Sequence, residues 1–359
     1  MSKGNVLVVS RTAWCEAPRL RHQLSRLLRD IGYEIYYVQL LFANKSIKDC
    51  SEDGINVFTV YERLHHQLKP FTVLQNFDSA RICKTLKRIL PVNDFRFIVN
   101  FNYDNDYTFS LFPGVPAITV INDDFYVMAK PWMRPQVLKN LAKTVSRSRM
   151  NLSVSYSLDR QLSQFSSFTE LFLPWSDINY KKPNSNLKRD VVLYYGFVSR
   201  LDMKLVGGLC NSGIKLRFVG PVQGNGLDIK KKYGALPNVE FLNETKLTDL
   251  DISDVCCSIA LYDGRLESIQ AITASNRMFQ LLAMGIPLIY PNLPNLILAP
   301  HQVITRCTST SDFLNAISYF KVNFDSVQPI IERFLIDHTK DKRKHFIERM
   351  IESFDDVKS

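Results

Sequence analysis

The stretch from residue 276 to residue 290 constrains the fold most, because it combines a helix, a tight turn and a buried strand. Phe279, Leu282 and Ala283 recur at helical spacing. Gly285 follows at the place where a helix often ends in a left-handed residue. The apolar run 286–290 suits a parallel strand that is buried on both faces. We therefore expect a helix–glycine–strand unit of an α/β domain.

Comparable units recur along the chain in two series, which predicts parallel sheets covered by helices. The first series predicts strands at Asn5–Ser10, Tyr33–Leu40, within Gly54–Tyr61, and at Phe95–Asn102, Pro116–Asn122 and Asn151–Ser155, with helices at Ala17–Asp30, Ser79–Ile89, from about Pro135 to Arg147 and from Ser157. The second predicts strands at Val191–Phe197, Lys215–Val219, Val239–Leu242, Cys257–Tyr262, Ile286–Tyr290 and Val303–Thr305, followed by helix from Ser311.

A polar cluster of Lys, Pro, Asn and Ser at 181–186 separates the two series and is typical of a linker. A length of 359 residues also exceeds one typical core. We expect two doubly wound, Rossmann-like domains. The predicted parts are a first domain at 1–175, a linker at 176–190, a second domain at 191–320 and C-terminal helices at 321–359 that pack back toward the first domain.

Composition narrows the class of protein. An apolar content of 46% with 22% charged residues is ordinary for a globular protein, and no apolar run is long enough for a transmembrane helix. Seven scattered cysteines without a C-x-x-C pair predict a reduced, cytoplasmic protein. The net charge is +10, and residues 1–170 hold about 22 Lys and Arg against about 15 Asp and Glu. This excess favours an anionic partner. No nucleic-acid motif occurs, so nucleic acid is not expected.

Five short motifs appear in order in the second series. They are Tyr194-Tyr195-Gly196-Phe197-Val198-Ser199-Arg200-Leu201-Asp202, Leu216-Arg217-Phe218-Val219-Gly220-Pro221, Asn238-Val239-Glu240-Phe241-Leu242-Asn243, Asp254-Val255 with Ala260-Leu261-Tyr262, and the stretch 276–290. Together they resemble the donor domain of GT-B glycosyltransferases, and within these the family 4-like enzymes of bacterial surface polysaccharide synthesis. The resemblance implies a second domain that binds a nucleotide-sugar, expected to be a UDP-sugar.

The resemblance assigns donor contacts to loops and to one helix start. The implied donor-binding residues are Gly196, Ser199, Arg200, Lys204, Gly220, Tyr262, Ser275, Asn276, Arg277 and Gln280. Arg277 stands where the family has Lys, and Gln280 stands where it has the ribose-binding Glu. The first carboxylate of the retaining E-x7-E motif is absent, because Ile272 occupies its place. Glu267 lies five residues upstream as a weaker substitute, so the sequence leaves retention or inversion open.

An inverting transfer needs a base that takes the proton of the acceptor hydroxyl. Asp123 and Asp124 follow a predicted strand, and Glu16 lies in the loop after the first strand, so these three are the candidate catalytic acids. Each also has a plainer explanation, as a helix-capping acid for Asp123 and Asp124 and as a first-turn acid for Glu16. Asp104 and Asp106 form a D-x-D, which binds a metal in the other glycosyltransferase fold. That alternative leaves the second alternating domain unexplained, so no metal is expected.

We expect a glycosyltransferase with no cofactor besides its nucleotide-sugar substrate, acting on a glycan or a lipid-linked acceptor at the inner face of the membrane. Two rivals stay open: a sugar-nucleotide epimerase of the same fold, and a catalytically silent scaffold that binds a nucleotide-sugar. The basic residues Arg81, Lys84, Lys87, Arg88 and Lys139, with Trp132 and Met133, predict peripheral binding to an anionic membrane.

Overall fold

The computed structural model describes residues 2–16, 19–42, 52–64, 72–184 and 187–354. The chain forms two compact units. Unit 1 comprises residues 1–173 and 343–359, and unit 2 comprises residues 174–342. Among the described residues, no helix is long and apolar enough to cross a membrane.

Unit 1 is built on a parallel sheet of seven strands. The strands are β1 (Asn5–Ser10), β2 (Glu34–Phe42), β3 (Ile55–Glu62), β4 (Phe95–Asn100), β5 (Ala117–Ile121), β6 (Met150–Ser153) and β7 (Thr169–Leu171), in the order β3-β2-β1-β4-β5-β6-β7. The middle strands are apolar on both faces, and Val6 to Val9 of β1 are fully buried. The strand order reverses between β1 and β4, which is where open α/β sheets bind ligands, at the carboxyl ends of the strands.

Helices cover the sheet of unit 1. They are α1 (Leu20–Ile31), α2 (Thr72–Ile89), α3 (Tyr107–Leu111), α4 (Phe125–Met128), α5 (Arg134–Ser146) and α6 (Tyr156–Leu162), with a 3-10 turn at Pro131–Met133. Leu20, Leu24, Leu27 and Leu28 bury one face of α1. This helix ends at Gly32, whose φ of 112° gives the left-handed turn that a side chain resists.

Unit 2 repeats the architecture with six parallel strands. They are β8 (Val191–Tyr195), β9 (Lys215–Val219), β10 (Val239–Leu242), β11 (Val255–Ile259), β12 (Leu288–Pro291) and β13 (Ile304–Cys307), in the order β10-β9-β8-β11-β12-β13. The helices are α7 (Met203–Cys210), α8 (Gly226–Tyr233), α9 (Glu267–Gln270), α10 (Asn276–Ala283) and α11 (Thr310–Leu335), with 3-10 turns at Leu247–Asp249 and Ile336–His338. The order reverses between β8 and β11.

The helix–glycine–strand unit is present as predicted. Helix α10 ends at Ala283, and Gly285 follows with a φ of 73°. The backbone N–H of Ile286 donates to Leu281 O, and that of Gly285 donates to Leu282 O. These two bonds satisfy carbonyls that a helix end would otherwise leave unpaired. Strand β12 then starts at Leu288, two residues later than predicted.

The prediction of two doubly wound domains is confirmed. The predicted and observed helices and strands differ mainly in where they start and end. Helix α1 starts at Leu20 rather than Ala17, and Ala17 with Pro18 lies outside the described residues. Helix α2 begins at Thr72, and the short elements α3 and β7 were not predicted. Both are too short for a periodic pattern to show.

The segment predicted as a linker at 176–190 packs on unit 2. The backbone N–H of Lys181 donates to Ala283 O over 2.8 Å, and Arg189 donates to Val255 O over 3.1 Å. The C-terminal helices also divide differently from the predicted 321–359 segment. Helix α11 belongs to unit 2, whereas α12 (Lys340–Glu352) returns the chain to unit 1 at Arg343. There Arg343 donates to Leu173 O over 2.8 Å.

Candidate functional site

The candidate site lies at the carboxyl edge of the unit 2 sheet, where the strand order reverses. The loop after β8 and the loop after β11 join here by two backbone bonds. Asp202 N–H donates to Leu261 O over 2.9 Å, and Asp263 N–H donates to Arg200 O over 3.0 Å. The two loops therefore form one fixed rim above the point where doubly wound sheets bind ligands.

A small pocket opens between these loops and the start of α10. The residues lining it are Tyr194, Tyr195, Ser258, Ile259, Ala260, Tyr262, Ser275, Arg277, Leu281, Leu288 and Tyr290. None of these described lining residues is acidic. The cavity volume is about 20 Å³, which is room for little more than one water molecule. The Arg277 side chain forms one wall of this small pocket.

Arg277 is held in the pocket by neutral groups alone. Its Nη1 donates to Tyr195 O over 3.1 Å, and its Nη2 lies 3.4 Å from the hydroxyl of Tyr262. A β-carbon added at Gly196 would lie 1.2 Å from Nη1, so only glycine leaves space for the guanidinium. No carboxylate pairs with Arg277 in the part of the chain that the structure describes. The positive charge is therefore uncompensated.

Four tyrosines surround this guanidinium. Burial is the largest single influence on the Arg277 pKa and lowers it, but the interactions with Tyr262, Tyr194, Tyr290 and Tyr195 together leave the pKa above its ordinary value. Burial raises the pKa of Tyr194 and of Tyr290 well above the ordinary value. The phenols of Tyr194 and Tyr290 therefore stay neutral at physiological pH, and Arg277 stays charged.

The loop that carries Gly196 packs closely against two further glycines, Gly220 and Gly226. A β-carbon added at Gly220, after β9, would lie 2.3 Å from Gly196 O, and one at Gly226 would lie 1.8 Å from Val198 O. Gly196 and Gly220 have φ values of 131° and 134°, which side chains disfavour. The loops after β8 and β9 thus lie in direct backbone contact. The sequence motifs located Gly196 and Gly220 but not this reason for them.

The structure brings only some of the predicted donor residues together. Tyr262, Ser275 and Arg277 line the pocket, and Gly196 contacts Arg277. Ser275 is also the N-cap of α10, where its Oγ accepts from Met278 N–H over 3.3 Å. The other predicted residues do not line the pocket: Ser199, Arg200, Lys204, Gly220, Asn276 and Gln280.

Arg200 and Lys204 lie at the rim of the site, and their role as donor contacts stays a prediction. Both side chains are exposed at the rim instead of lining the pocket. Arg200 has a φ of 56° and is the one described non-glycine residue with positive φ. Such a conformation costs free energy and is frequent at functional sites. Ile272 is half-buried, and Glu267 starts α9 with an exposed side chain, so neither supplies a carboxylate to the pocket.

Of the four tyrosines that line the pocket, the sequence analysis named only Tyr262 as a donor contact. Tyr194 and Tyr195 end β8 directly before the Gly196 motif, and Tyr290 lies in β12. Tyr194 Oη donates to Phe197 O over 2.7 Å, and Tyr195 Oη donates to Thr245 O over 2.9 Å. Their positions within or next to the motifs could have indicated a role in the site. Only the fold shows that the three side chains lie next to the same arginine.

The three candidate catalytic acids lie in unit 1 and have different surroundings. Asp124 is the N-cap of α4 and accepts from Val127 N–H over 3.0 Å, so its carboxylate is occupied. Glu16 lies 3.8 Å from Arg19. Asp123 follows β5, with its Oδ2 3.6 Å from Nη2 of the buried Arg21. Burial raises the Asp123 pKa, although Arg21 and Arg19 lower it in part.

The D-x-D carboxylates are neutralised by arginines. Asp104 accepts two bonds from Arg11, of 2.6 and 3.1 Å. Asp106 pairs with Arg147 and lies 3.0 Å from Lys143. Within the described ranges, no group of three or more His, Cys, Asp or Glu could hold a metal ion. The D-x-D alternative also requires a different fold from the two parallel-sheet units seen here.

The residues predicted to contact a membrane lie in unit 1 with mixed exposure. Lys84, Lys87, Arg88 and Lys139 are exposed, and 62% of the Trp132 surface is accessible. Arg81 is paired with Asp78 over 3.0 Å. Met133 is buried at 6% exposure, so the expectation that it enters headgroups is wrong.

Solved structures share this fold across the full chain. HepE of Anabaena in complex with UDP and glucose has a TM-score of 0.66 at 12% identity, covering 97% of this chain and 99% of that one. The α,α-trehalose 6-phosphate synthase of Burkholderia multivorans has a TM-score of 0.65 at 9% identity, with 100% of both chains covered. A trehalose-6-phosphate protein of E. coli bound with UDP-2-fluoro glucose has a TM-score of 0.63 at 10% identity, covering 97% and 98%.

Comparisons by sequence are negative: no family model and no curated protein matches the chain. At identities of 9–12% the structural likeness concerns the fold. The chain has the GT-B fold, with two parallel-sheet α/β units of seven and six strands.

Proposed function

We propose that the protein is a glycosyltransferase that moves a sugar from a nucleotide-sugar, a UDP-sugar, to a glycan or lipid-linked acceptor in surface polysaccharide synthesis. Unit 2 binds the donor and unit 1 binds the acceptor. The observation that carries the proposal is Arg277, a half-buried and uncompensated cation at the reversal point of the unit 2 sheet. The UDP bound to HepE, which shares the fold, supports the choice of nucleotide.

Arg277 suits a diphosphate for two physical reasons. A guanidinium binds phosphate oxygens through two parallel bonds, and such charge-assisted bonds contribute about 1.5–3 kcal/mol. Arg277 also lies in the first turn of α10, where free backbone N–H groups and the helix dipole favour an anion. Because both terminal nitrogens of Arg277 already donate, a diphosphate that binds it replaces its bonds to Tyr195 O and Tyr262 Oη. The same cation then stabilises the charge on the UDP that leaves.

Asp123 is the proposed base of an inverting transfer. Its carboxylate follows β5 at the carboxyl edge of the unit 1 sheet, its side chain is 44% exposed, and its pKa is raised above that of an ordinary Asp. Asp124 is occupied as a helix cap, and the place of the first retaining-type carboxylate holds Ile272. Both facts favour Asp123. Cations and the start of α10 take the part that a metal plays elsewhere, so the proposed reaction is metal-independent.

A nucleotide-sugar-binding scaffold is the second candidate, favoured by the absence of acids among the described residues that line the pocket. A thermal-shift screen of UDP-, GDP-, dTDP- and ADP-sugars identifies the donor, because a ligand that binds the native state raises the melting temperature. Purified protein is then incubated with that donor, and released nucleotide is measured. Nucleotide release with free sugar or glycoside supports the transferase. Binding without turnover, with glycan and lipid acceptors present, supports the scaffold. Recovery of an epimerised free sugar contradicts both.

A further inference from the structure

Arg21 is a buried arginine of unit 1 that lies beside Asp123, the proposed base. It belongs to the first turn of α1, and only 8% of its side chain is exposed. Its Nη2 lies 3.6 Å from Asp123 Oδ2, which makes Asp123 its ion-pair partner. A buried charge that loses its partner is strongly unfavourable. The two side chains are therefore coupled, and whatever fixes Arg21 also acts on Asp123.

The guanidinium of Arg21 is fixed by neutral groups at the ends of β1 and β2. Its Nη1 donates to Thr12 Oγ1 and to Ser10 Oγ, the latter over 3.5 Å. Tyr37, from β2, donates its hydroxyl to Thr12 O over 3.1 Å and closes this side. Ser10, Thr12 and Tyr37 are all buried. The other terminal nitrogen, Nη2, is the one that faces Asp123.

The groups that hold the Asp123 carboxylate both act on the same oxygen. Asn122 Nδ2 donates to Oδ2 over 2.9 Å, and Arg21 Nη2 faces that oxygen as well. Oδ1 has no hydrogen-bond partner among the residues that the structure describes. One oxygen is thus anchored while the other stays open. A general base needs an open oxygen of this kind, because the hydroxyl proton must come within hydrogen-bond reach of it.

No other charged group near the pair can replace Arg21. The titratable groups around it are Glu16, Arg19, His22, Tyr37 and Asp124. Arg19 is 54% exposed, has a carboxylate within 3.8 Å, and lowers the Asp123 pKa less than Arg21 does. Burial lowers the pKa of His22 to about 4 and raises that of Tyr37 to about 12, so both are neutral at physiological pH. Arg21 is therefore the fixed positive charge next to Asp123.

We propose that Arg21 is a positioning residue for Asp123. It holds Oδ2, leaves Oδ1 open for the acceptor hydroxyl and stabilises the ionised carboxylate. In the transfer, the acceptor oxygen bonds to the sugar carbon, its proton passes to Oδ1, and the bond from that carbon to the UDP oxygen breaks. This catalytic consequence rests on the proposed function, whereas the coupling between the two side chains does not.

NMR of the aspartate carboxyl carbons in the full-length protein measures the coupling directly. Asp123→Asn identifies the Asp123 signal by its loss. An opposite charge at this distance lowers the pKa of an Asp by roughly 1–3 pH units, and the exposure of Asp123 places it at the low end. The Asp123 pKa should therefore rise by about one pH unit in Arg21→Gln. It should stay close to that of the wild type in Arg21→Lys, which keeps the charge.

A matched control and a second measurement keep the test independent of how well Arg21→Gln folds. Arg349→Gln removes an exposed arginine of unit 1 and should leave the Asp123 pKa unchanged. Thermal melting checks each variant. In the wild type, the NMR signals of the Arg21 guanidinium nitrogens should titrate with the pKa of Asp123, and this step should vanish in Asp123→Asn. Absence of the step, or an equal Asp123 pKa in wild type and folded Arg21→Gln, overturns the proposal.

The pH dependence of kcat separates this inference from the proposed function. In Arg21→Gln the rise of kcat with pH should move upward with the Asp123 pKa. The plateau should fall about tenfold or more through loss of orientation, with the donor KM unchanged, and Arg21→Lys should recover most of it. A lower plateau without any change in the Asp123 pKa indicates a merely structural role and overturns the inference.

The two remaining outcomes tell the claims apart. If the Asp123 pKa moves in Arg21→Gln and the kcat profile does not, the coupling stands and Asp123 is not the base of the proposed reaction. If the protein transfers sugar and the Asp123 pKa is the same with and without Arg21, the inference fails and the proposed function stands.

Discussion

Replacing Gly220 with alanine should destabilise unit 2 through a collision between two backbone segments. The new β-carbon would lie 2.3 Å from Gly196 O and 2.8 Å from Gly196 C. Neither atom belongs to a side chain that could rotate away, so the loop after β8 or the loop after β9 must move. Gly213→Ala is the matched control, because Gly213 has a φ of 80° with nothing within 4 Å of its added β-carbon.

The two variants share the cost of a side chain at positive φ, which is about 1–2 kcal/mol. Gly220→Ala adds the cost of overpacking, typically about 1–3 kcal/mol. We therefore expect about 1 kcal/mol for Gly213→Ala and about 3 kcal/mol or more for Gly220→Ala. For a unit of this size, each kcal/mol lowers the melting temperature by about 2–4 °C. Calorimetry of the unit 2 transition should separate the variants by about 4–8 °C.

The same substitution should reach the donor site. Gly196 is displaced in Gly220→Ala, and the Arg277 guanidinium packs against Gly196, so UDP affinity should fall at least fivefold. Gly213→Ala should leave UDP affinity unchanged. Equal melting temperatures for the two variants would show that the loops are not in the backbone contact described, and the explanation of both glycines would be wrong.

Three further predictions concern chemistry and location. Asp123→Asn should lower kcat by about 10²–10⁴-fold, as loss of a general base does, whereas Asp124→Asn should keep kcat and lose only part of a helix cap. Since its pKa is raised, Asp123 deprotonates at a higher pH than an ordinary Asp, and kcat should rise with pH through that range. Activity should survive EDTA, and a loss that Mn²⁺ or Mg²⁺ restores would refute metal independence. The full chain should pellet with anionic but not with neutral vesicles, less so as salt rises, and equal pelleting with both would contradict an electrostatic surface.

The fold was predictable because its signals are local. The stretch 276–290 carries its own helix periodicity, its left-handed glycine and its buried strand, and the structure reproduces each. Alternation of such units predicts parallel sheets before any contact is known. Short elements such as α3 and β7 escape because a few residues hold no period.

The site was predictable only in part, because its properties come from distant residues. Arg277 was predicted from its position in α10. Its neutral surroundings were not, because Tyr194 and Tyr290 come from β8 and β12 and only the fold places them next to Arg277. Arg200 was predicted as a donor contact from the resemblance of its motif, and the structure shows it exposed at the rim with a φ of 56°, which no sequence pattern indicated. Asp104 has the spacing of a metal ligand, and only the fold reveals Arg11 bound to it.

Donor affinity of an Arg277 variant tests the central claim most directly. Calorimetry compares UDP and UDP-sugar binding to wild type, Arg277→Met and Arg265→Met. Arg265 lies near the same rim, but it is exposed and paired with Asp263 over 2.7 Å, which makes it a matched control for loss of one positive charge. Losing a charge-assisted bond of about 1.5–3 kcal/mol weakens binding by roughly 10- to 150-fold. We expect this 10- to 150-fold loss of UDP affinity for Arg277→Met, with an unchanged melting temperature. Arg265→Met should bind UDP with the affinity of the wild type. Equal affinity in all three proteins would contradict the assignment of the donor site to unit 2.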